Sequence, residues 1–250
     1  MPIKPKKGEI NYPQKLNQKE YEWLETKPFG DFNLKESAKV FNDFSTILYI
    51  IKKNCPNRPK ILELGSGPGW LSIFLSQMGF TSTGLDIAPQ MVSISKKRSQ
   101  SVGASAKFAV LDIEDDFFAS EKEKNDLVIF YDSLHHCHSD EKPLKNAYNY
   151  LKKNGILILA EPNVAHSKDK DSLEVSKKFD VTERGLNFSS LSRLAKKIGF
   201  SKVYRYHASG QSFIPRNESF SETLKMIFYP ILARFYFGKI RTRIWLVAKK

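Results

Sequence analysis

The sequence predicts an α/β fold, a doubly wound and mostly parallel sheet with helices on both faces. Three observations predict it. Short apolar runs alternate with helix-compatible segments from about residue 35 to 165, the pattern of parallel βαβ units with right-handed crossovers. The first run passes directly into a glycine turn and a helix start. Acidic residues, Glu63, Asp86 and Asp112, stand at the ends of three successive runs. At 250 residues and 41% hydrophobic composition the chain can bury a large core.

Residues 1 to about 28 read as an arm with few apolar anchors, in which Tyr21, Trp23 and Leu24 can form a short helix over the site. Phe29-Gly30-Asp31-Phe32 precedes a helix from about Lys35 to Lys53, where Val40, Phe44, Ile47, Leu48 and Ile51 recur at helical spacing. The boundary assigned here is an arm or lid over 1–34 and one domain over 35–250.

Residues 61–69, Ile-Leu-Glu-Leu-Gly-Ser-Gly-Pro-Gly, form a strand and a ligand cradle, followed by a helix from about Ser72. Glycines bend the backbone there and let a ligand approach bare N–H groups. The spacing is Gly-x-Gly-x-Gly, with Trp70 where the third glycine of a dinucleotide fingerprint would fall, and no Gly-Lys-Ser/Thr follows. Glu63, two residues before Gly65, would repel a pyrophosphate and suits a cationic ligand bearing an amino group.

Thr81 to Leu85 read as the second strand, and Asp86 follows Gly67 by 19 residues. That is near the separation of about 20 expected of an acid that accepts from ribose hydroxyls. Ile87 to Met91 open a helix with Pro89 in its first turn. Phe108 to Leu111 make the third strand, ended by Asp112-Ile113-Glu114, and Asp126 to Tyr131 the fourth, followed by Asp132-Ser133-Leu134-His135-His136. Gly155 to Ala160 make the fifth, ended by Glu161-Pro162-Asn163. Residues 166–178 read as a surface loop or helix near the acceptor. Ser189 to Gly199 read as a capped helix, Lys202 to His207 as the sixth strand and Ile244 to Ala248 as the last, with an apolar and basic insertion over about 211–240.

This pattern resembles the class I S-adenosylmethionine-dependent methyltransferases of the type 11/12-like group, over roughly residues 29 to 165. The resemblance implies a Rossmann-like sheet of seven strands whose last strand runs antiparallel between strands five and six, and a helix end and turn over Tyr150 to Gly155. It implies a cofactor-binding half at about 35–165 and an acceptor half at about 166–250. The cofactor it implies is S-adenosyl-L-methionine, with S-adenosyl-L-homocysteine as product. Glu63, Gly65, Ser66, Gly67 and Gly69 would lie at the methionine part, and Asp86 with Ile87 at the ribose. Asp112 would meet the adenine amino group and Ile113 its ring, while Met91, Tyr131 and Asp132 complete the cofactor-binding set.

Methyl transfer from a sulfonium chiefly requires alignment of acceptor, methyl carbon and sulfur. An oxygen acceptor benefits from a base, for which His is suited at neutral pH. His135 and His136 follow strand four at the sheet edge that binds ligands, and are the candidate catalytic residues. His135 is preferred as the base for its place nearer the strand end, and structural or cofactor-contacting roles stay open for both. His166 and Tyr131 are weaker candidates. No metal is expected, because the strand-end acids face the cofactor and two adjacent histidines cannot both point inward from a strand end. The expected acceptor is a small molecule or a glycan or lipid-linked group, methylated at oxygen. The alternatives are a nucleic-acid methyltransferase, against which the absent Asp/Asn-Pro-Pro-Tyr/Phe motif speaks, and a non-catalytic cofactor-binding module.

The net charge is +13. From Arg193 onward 13 Lys and Arg face only Glu218 and Glu222, so the last quarter carries nearly all of it. Such asymmetry favours an anionic partner. The aromatic run Leu224 to Phe237, with Lys239, Arg241 and Arg243 beyond it, reads either as packed against the core as a wall of the acceptor pocket or as an interfacial segment that meets an anionic membrane surface through residues 224–243. Two distant cysteines, Cys55 and Cys137, read as free thiols in a reducing compartment. The first residues lack an apolar signal segment. The expected location is cytoplasmic, with a peripheral place at the inner membrane face.

Overall fold

The computed structural model describes residues 6–29, 34–114, 117–206 and 243–250. Its centre is a seven-stranded sheet in the order β3-β2-β1-β4-β5-β7-β6. The strands are β1 (Lys60–Leu64), β2 (Thr81–Asp86), β3 (Lys107–Val110), β4 (Asn125–Tyr131), β5 (Leu151–Pro162), β6 (Lys202–Tyr206) and β7 (Arg243–Lys249). The first five pair in parallel, and β7 lies antiparallel between β5 and β6, as the resemblance implied. Along the sheet run α1 (Lys7–Asn11), α2 (Gln18–Thr26), α3 (Leu34–Asn54), α4 (Trp70–Gln77), α5 (Pro89–Ser101), α6 (Glu141–Tyr150), α7 (Lys170–Phe179) and α8 (Phe188–Ile198).

The continuous apolar runs of the central strands follow from burial on both faces. Ile61, Leu127, Ile129, Ile156 and Ile158 point to one face, where Val40, Ile47, Ile50 and Ile51 of α3 and Leu71 and Leu75 of α4 cover them. Leu62, Leu64, Val128, Phe130, Leu157 and Leu159 point to the other, under Leu144 and Ala147 of α6 and Leu191 and Ala195 of α8. Each such fully buried aliphatic side chain contributes about 1.5–3 kcal/mol. Trp70, which breaks the dinucleotide spacing, is a core residue, with its ring 5.3 Å from that of Tyr131 and 5.8 Å from that of Phe74.

One element differs from its expected form. Leu151 to Asn154 belong to β5 rather than to a turn, because Leu151 pairs with Asn125 before the register shifts and Ile156 pairs with Leu127. Asn154 takes the left-handed conformation, φ 66°, inside that irregularity. The 211–240 insertion, including Leu224 to Phe237, and Phe32 and His207 lie outside the described residues. No helix among the described residues is long and apolar enough to cross a membrane.

The strand order reverses between β1 and β4. The crevice beyond the carboxyl ends at such a switch point is where open α/β sheets bind ligands.

Candidate active site

At that crevice lies a cavity of about 1020 Å³, lined by Gly65, Gly67, Asp86, Ile87, Met91, Asp112, Ile113, Asp132, His135 and His136 among the expected site residues. The arm roofs it: Lys6, Glu9, Tyr12, Trp23, Leu24 and Lys27 also line it. Leu24 packs on Ala88, Met91 and Ile94, and Arg98 donates to the Leu24 and Lys27 carbonyls. Tyr21 packs partly buried beside Leu24, and α2 borders the cavity through Trp23 and Leu24.

The glycine turn builds the floor. Gly65, Gly67 and Gly69 all have positive φ, which favours glycine. A Cβ on Gly65 would strike the Ser133 Cβ at 2.4 Å, whereas one on Gly67 would meet nothing within 4 Å. The turn is therefore closed against β4 and open toward the cavity at Gly67. Asp86 accepts from the Gly67 N–H at 2.7 Å through one oxygen and from the Ala88 N–H at 2.9 Å through the other. Each carboxylate oxygen keeps a lone pair for a ligand hydroxyl.

Four expected cofactor residues are not on the cavity wall. Glu63 lies buried beneath the turn and accepts from Ser72 N–H at 3.1 Å and Ser72 Oγ at 2.5 Å, satisfying the first turn of α4. Burial pushes its carboxyl up to about 8, against the Ser72 hydrogen bonds. Ser66 and Gly69 are packed behind the turn, where a Cβ on Gly69 would meet Phe108 and Ser95. Tyr131 points away, donating to Asp43 at 2.9 Å. Phe29 lies against Phe41 and Phe74 instead of over the cavity.

Asp112 is held by the arm: Lys6 Nζ donates to its two oxygens at 2.6 and 2.8 Å and sits 2.8 Å from Glu114. Asp132 meets Arg243 at 2.6 and 2.7 Å. Burial raises the Asp132 carboxyl, but the guanidinium outweighs it and holds the group well below the usual carboxylate range. Arg243 also reaches Asp43 at 3.1 Å. It is thus buried and paired, which corrects its expected place among the cations facing a membrane surface.

His135 and His136 both line the cavity, against the expectation that adjacent histidines cannot both face it. The reason is local: Leu134–His136 is a 3-10 turn, not a strand end, so side chains do not alternate across a sheet. His135 is buried, with Nδ1 at 2.9 Å from Glu161 Oε2 and Nε2 at 3.4 Å from Glu183 Oε2. Burial lowers its pKa, yet the two carboxylates outweigh burial and raise it to about 10. His136 places Nδ1 at 2.7 Å from the Thr182 carbonyl oxygen. A carbonyl only accepts, so Nδ1 carries the hydrogen, and in the neutral ring the lone pair is then on Nε2.

Glu161, the acid that ends β5, is fully buried and accepts from the Ser133 and Leu134 N–H groups at 3.0 and 2.9 Å. It fixes the loop that carries both histidines. Lys6, Lys27, Glu183 and Arg243 were not among the expected site residues. Each comes from the arm, a loop or a distant strand, with no motif around it.

The methyltransferase-domain family profile matches residues 57–209. A ubiquinone biosynthesis O-methyltransferase of Xanthomonas axonopodis pv. citri (strain 306) is 26% identical over 115 residues, 46% of this chain and 48% of that protein. The chain spans about half the length of the curated relatives it matches, 48% and 58% of the first two. A solved Pyrococcus horikoshii protein superposes with a TM-score of 0.60 at 18% identity, covering 91% of this chain and 97% of that one. A Haemonchus contortus phosphoethanolamine N-methyltransferase 2, in complex with phosphomonomethylethanolamine and S-adenosylhomocysteine, gives 0.62 at 19% identity, covering 100% of this chain and 61% of that one. At these identities the structures share the fold.

Proposed function

This chain belongs to the methyltransferase-domain family, a class I S-adenosylmethionine-dependent family, and from that premise we propose that it methylates a hydroxyl oxygen of a small molecule held in the same cavity. The observation that carries this reading is one continuous, partly open cavity with an open glycine cradle and the Asp86 carboxylate on one side and the His136 imidazole on the other. Its volume of about 1020 Å³ is at the top of the range for small-molecule sites, roughly 300–1,000 Å³, and suits a cofactor plus a small acceptor.

S-adenosylmethionine supplies a methyl group on a sulfonium, already activated for transfer. Gly67 would give the cofactor room, Asp86 would accept from ribose hydroxyls, Asp112 would accept from the adenine amino group, and Met91 and Ile113 would supply apolar surface for it. The arm excludes water through Trp23 and Leu24. His136 Nε2 takes the acceptor proton while Thr182 holds its ring. His135 is less suited to that role, since both of its nitrogens already face carboxylates. The O-methyltransferase names among the relatives support oxygen as the acceptor atom.

The test is incubation with methyl-labelled cofactor and a panel of small hydroxyl compounds, amines and nucleic acids, read by mass spectrometry. Label in a methyl ether is the expected result. Label only on nitrogen or on nucleic acid would overturn the acceptor, and failure of S-adenosylhomocysteine to bind in calorimetry would overturn the cofactor.

A further inference from the structure

We propose that His135, His166 and Glu183 form a binding site for a divalent first-row transition-metal ion on the acceptor side of the cavity. Their donor atoms lie within 4.8 Å of one another, and all three side chains line the cavity. They arrive from three separate segments: the turn after β4, the turn His166–Lys168 after β5, and the loop between α7 and α8. Glu183 Oε2 stands 2.6 Å from His166 Nε2 and 3.4 Å from His135 Nε2. A tetrahedral ion with bonds of about 2.1 Å needs donors roughly 3.4 Å apart. Of the three pairs, His135–Glu183 already has that spacing, His166–Glu183 needs to open from hydrogen-bond length, and the two histidines stand within 4.8 Å of each other.

The backing groups give the stronger argument. A metal-bound imidazole donates its second N–H to a carboxylate or another fixed acceptor, which sets the tautomer and aims the lone pair. Glu161 takes that place behind His135 Nδ1 at 2.9 Å, itself fixed by backbone N–H groups. Ser172 Oγ lies beside the His166 ring, 3.0 Å from Nδ1 and 3.4 Å from Nε2, and so helps to set that ring's position. Both rings turn Nε2 toward the same carboxylate. Asp132 and Glu161 also cluster with His135, but Asp132 is held by Arg243 and Glu161 by amides, so neither is offered to an ion. Two imidazoles and one carboxylate suit zinc, iron, cobalt or manganese over magnesium or calcium. Three protein donors leave positions facing the cavity, where an acceptor oxygen can bind and lose its proton more easily. That last consequence rests on the methyl-transfer reading, whereas ion binding does not.

The experiment adds cobalt(II) to the chelator-treated full-length protein, with no cofactor or acceptor, and follows visible absorption and calorimetry. One equivalent bound with the spectrum of a low-coordinate nitrogen–oxygen site is the expected result. His166→Ala and Glu183→Gln should each weaken binding by 100-fold or more, and His138→Gln, on an exposed side chain, should leave it unchanged. Ser172→Ala, the mildest change, should weaken it about 10-fold, which keeps the test decisive if a ligand variant fails to fold. No binding by the native protein, or equal binding by Ser172→Ala and Glu183→Gln, overturns the site. Intact S-adenosylhomocysteine binding beside such a failure would leave the methyltransferase reading standing.

Discussion

Arg243, the first residue of β7, holds Asp132 beyond the end of β4 through two hydrogen bonds of 2.6 and 2.7 Å, while its Nε reaches Asp43 of α3 at 3.1 Å. Its guanidinium also lies over the Tyr131 ring, 4.8 Å from the centroid. One cation thereby ties the last strand to the loop that carries His135 and His136.

Arg243→Met should destabilise the protein by about 3 kcal/mol, the cost of leaving a buried carboxylate without its cation. Asp43→Asn in that background should return part of the loss, because the stranded charge is then gone. Urea unfolding checks both; equal stabilities of Arg243→Met and the parent would refute the tie.

How legible this was depended on whether a group's partner is local. The glycine turn and Asp86 follow from short-range spacing, and the structure has them where spacing put them; the antiparallel place of the last strand followed only from the resemblance. Glu63 read as an acid offered to a cationic ligand, whereas it lies beneath the turn and accepts from Ser72 of α4, a partner that the spacing did not indicate. Arg243 read as one more cation in a basic quarter, because its partners Asp43 and Asp132 are 200 and 111 positions away. The two histidines were found, and their shared access to the cavity was not, since alternation holds on strands and fails on a 3-10 turn.

Asp86→Ala should weaken S-adenosylhomocysteine binding by about 1.5–3 kcal/mol for each ribose hydrogen bond lost. Part of the effect will come from the turn, since Gly67 and Ala88 lose their acceptor. Asp86→Asn separates the two, as its amide oxygen can still serve one N–H while the charge is gone. Calorimetry giving the parent's affinity for both variants would exclude the ribose role.

His136→Asn should lower kcat by about 10²–10⁴, the usual worth of a positioned base. Asn can still donate toward the Thr182 carbonyl but has no basic nitrogen. Cofactor affinity should stay within about twofold of the parent, and a variant that loses cofactor affinity in step with kcat would assign His136 to binding instead.

Glu63 sets a pH dependence of stability. Its folded pKa, about 8 because of burial, lies above the ordinary carboxylate value of 4.5. Between those values the folded state holds more protons than the unfolded chain, so stability falls as pH rises. The contribution is fully present below about pH 4.5 and is lost by about pH 8; about 3 kcal/mol of it is already gone at pH 7, at roughly 1.4 kcal/mol per pKa unit. Glu63→Gln cannot ionise, so this component of the slope should vanish whatever the variant's absolute stability. Chemical unfolding of parent and variant at pH 5 and pH 8 measures it. The parent should lose stability relative to Glu63→Gln across that interval, and a constant difference between them would mean that Glu63 is ionised in the folded protein throughout.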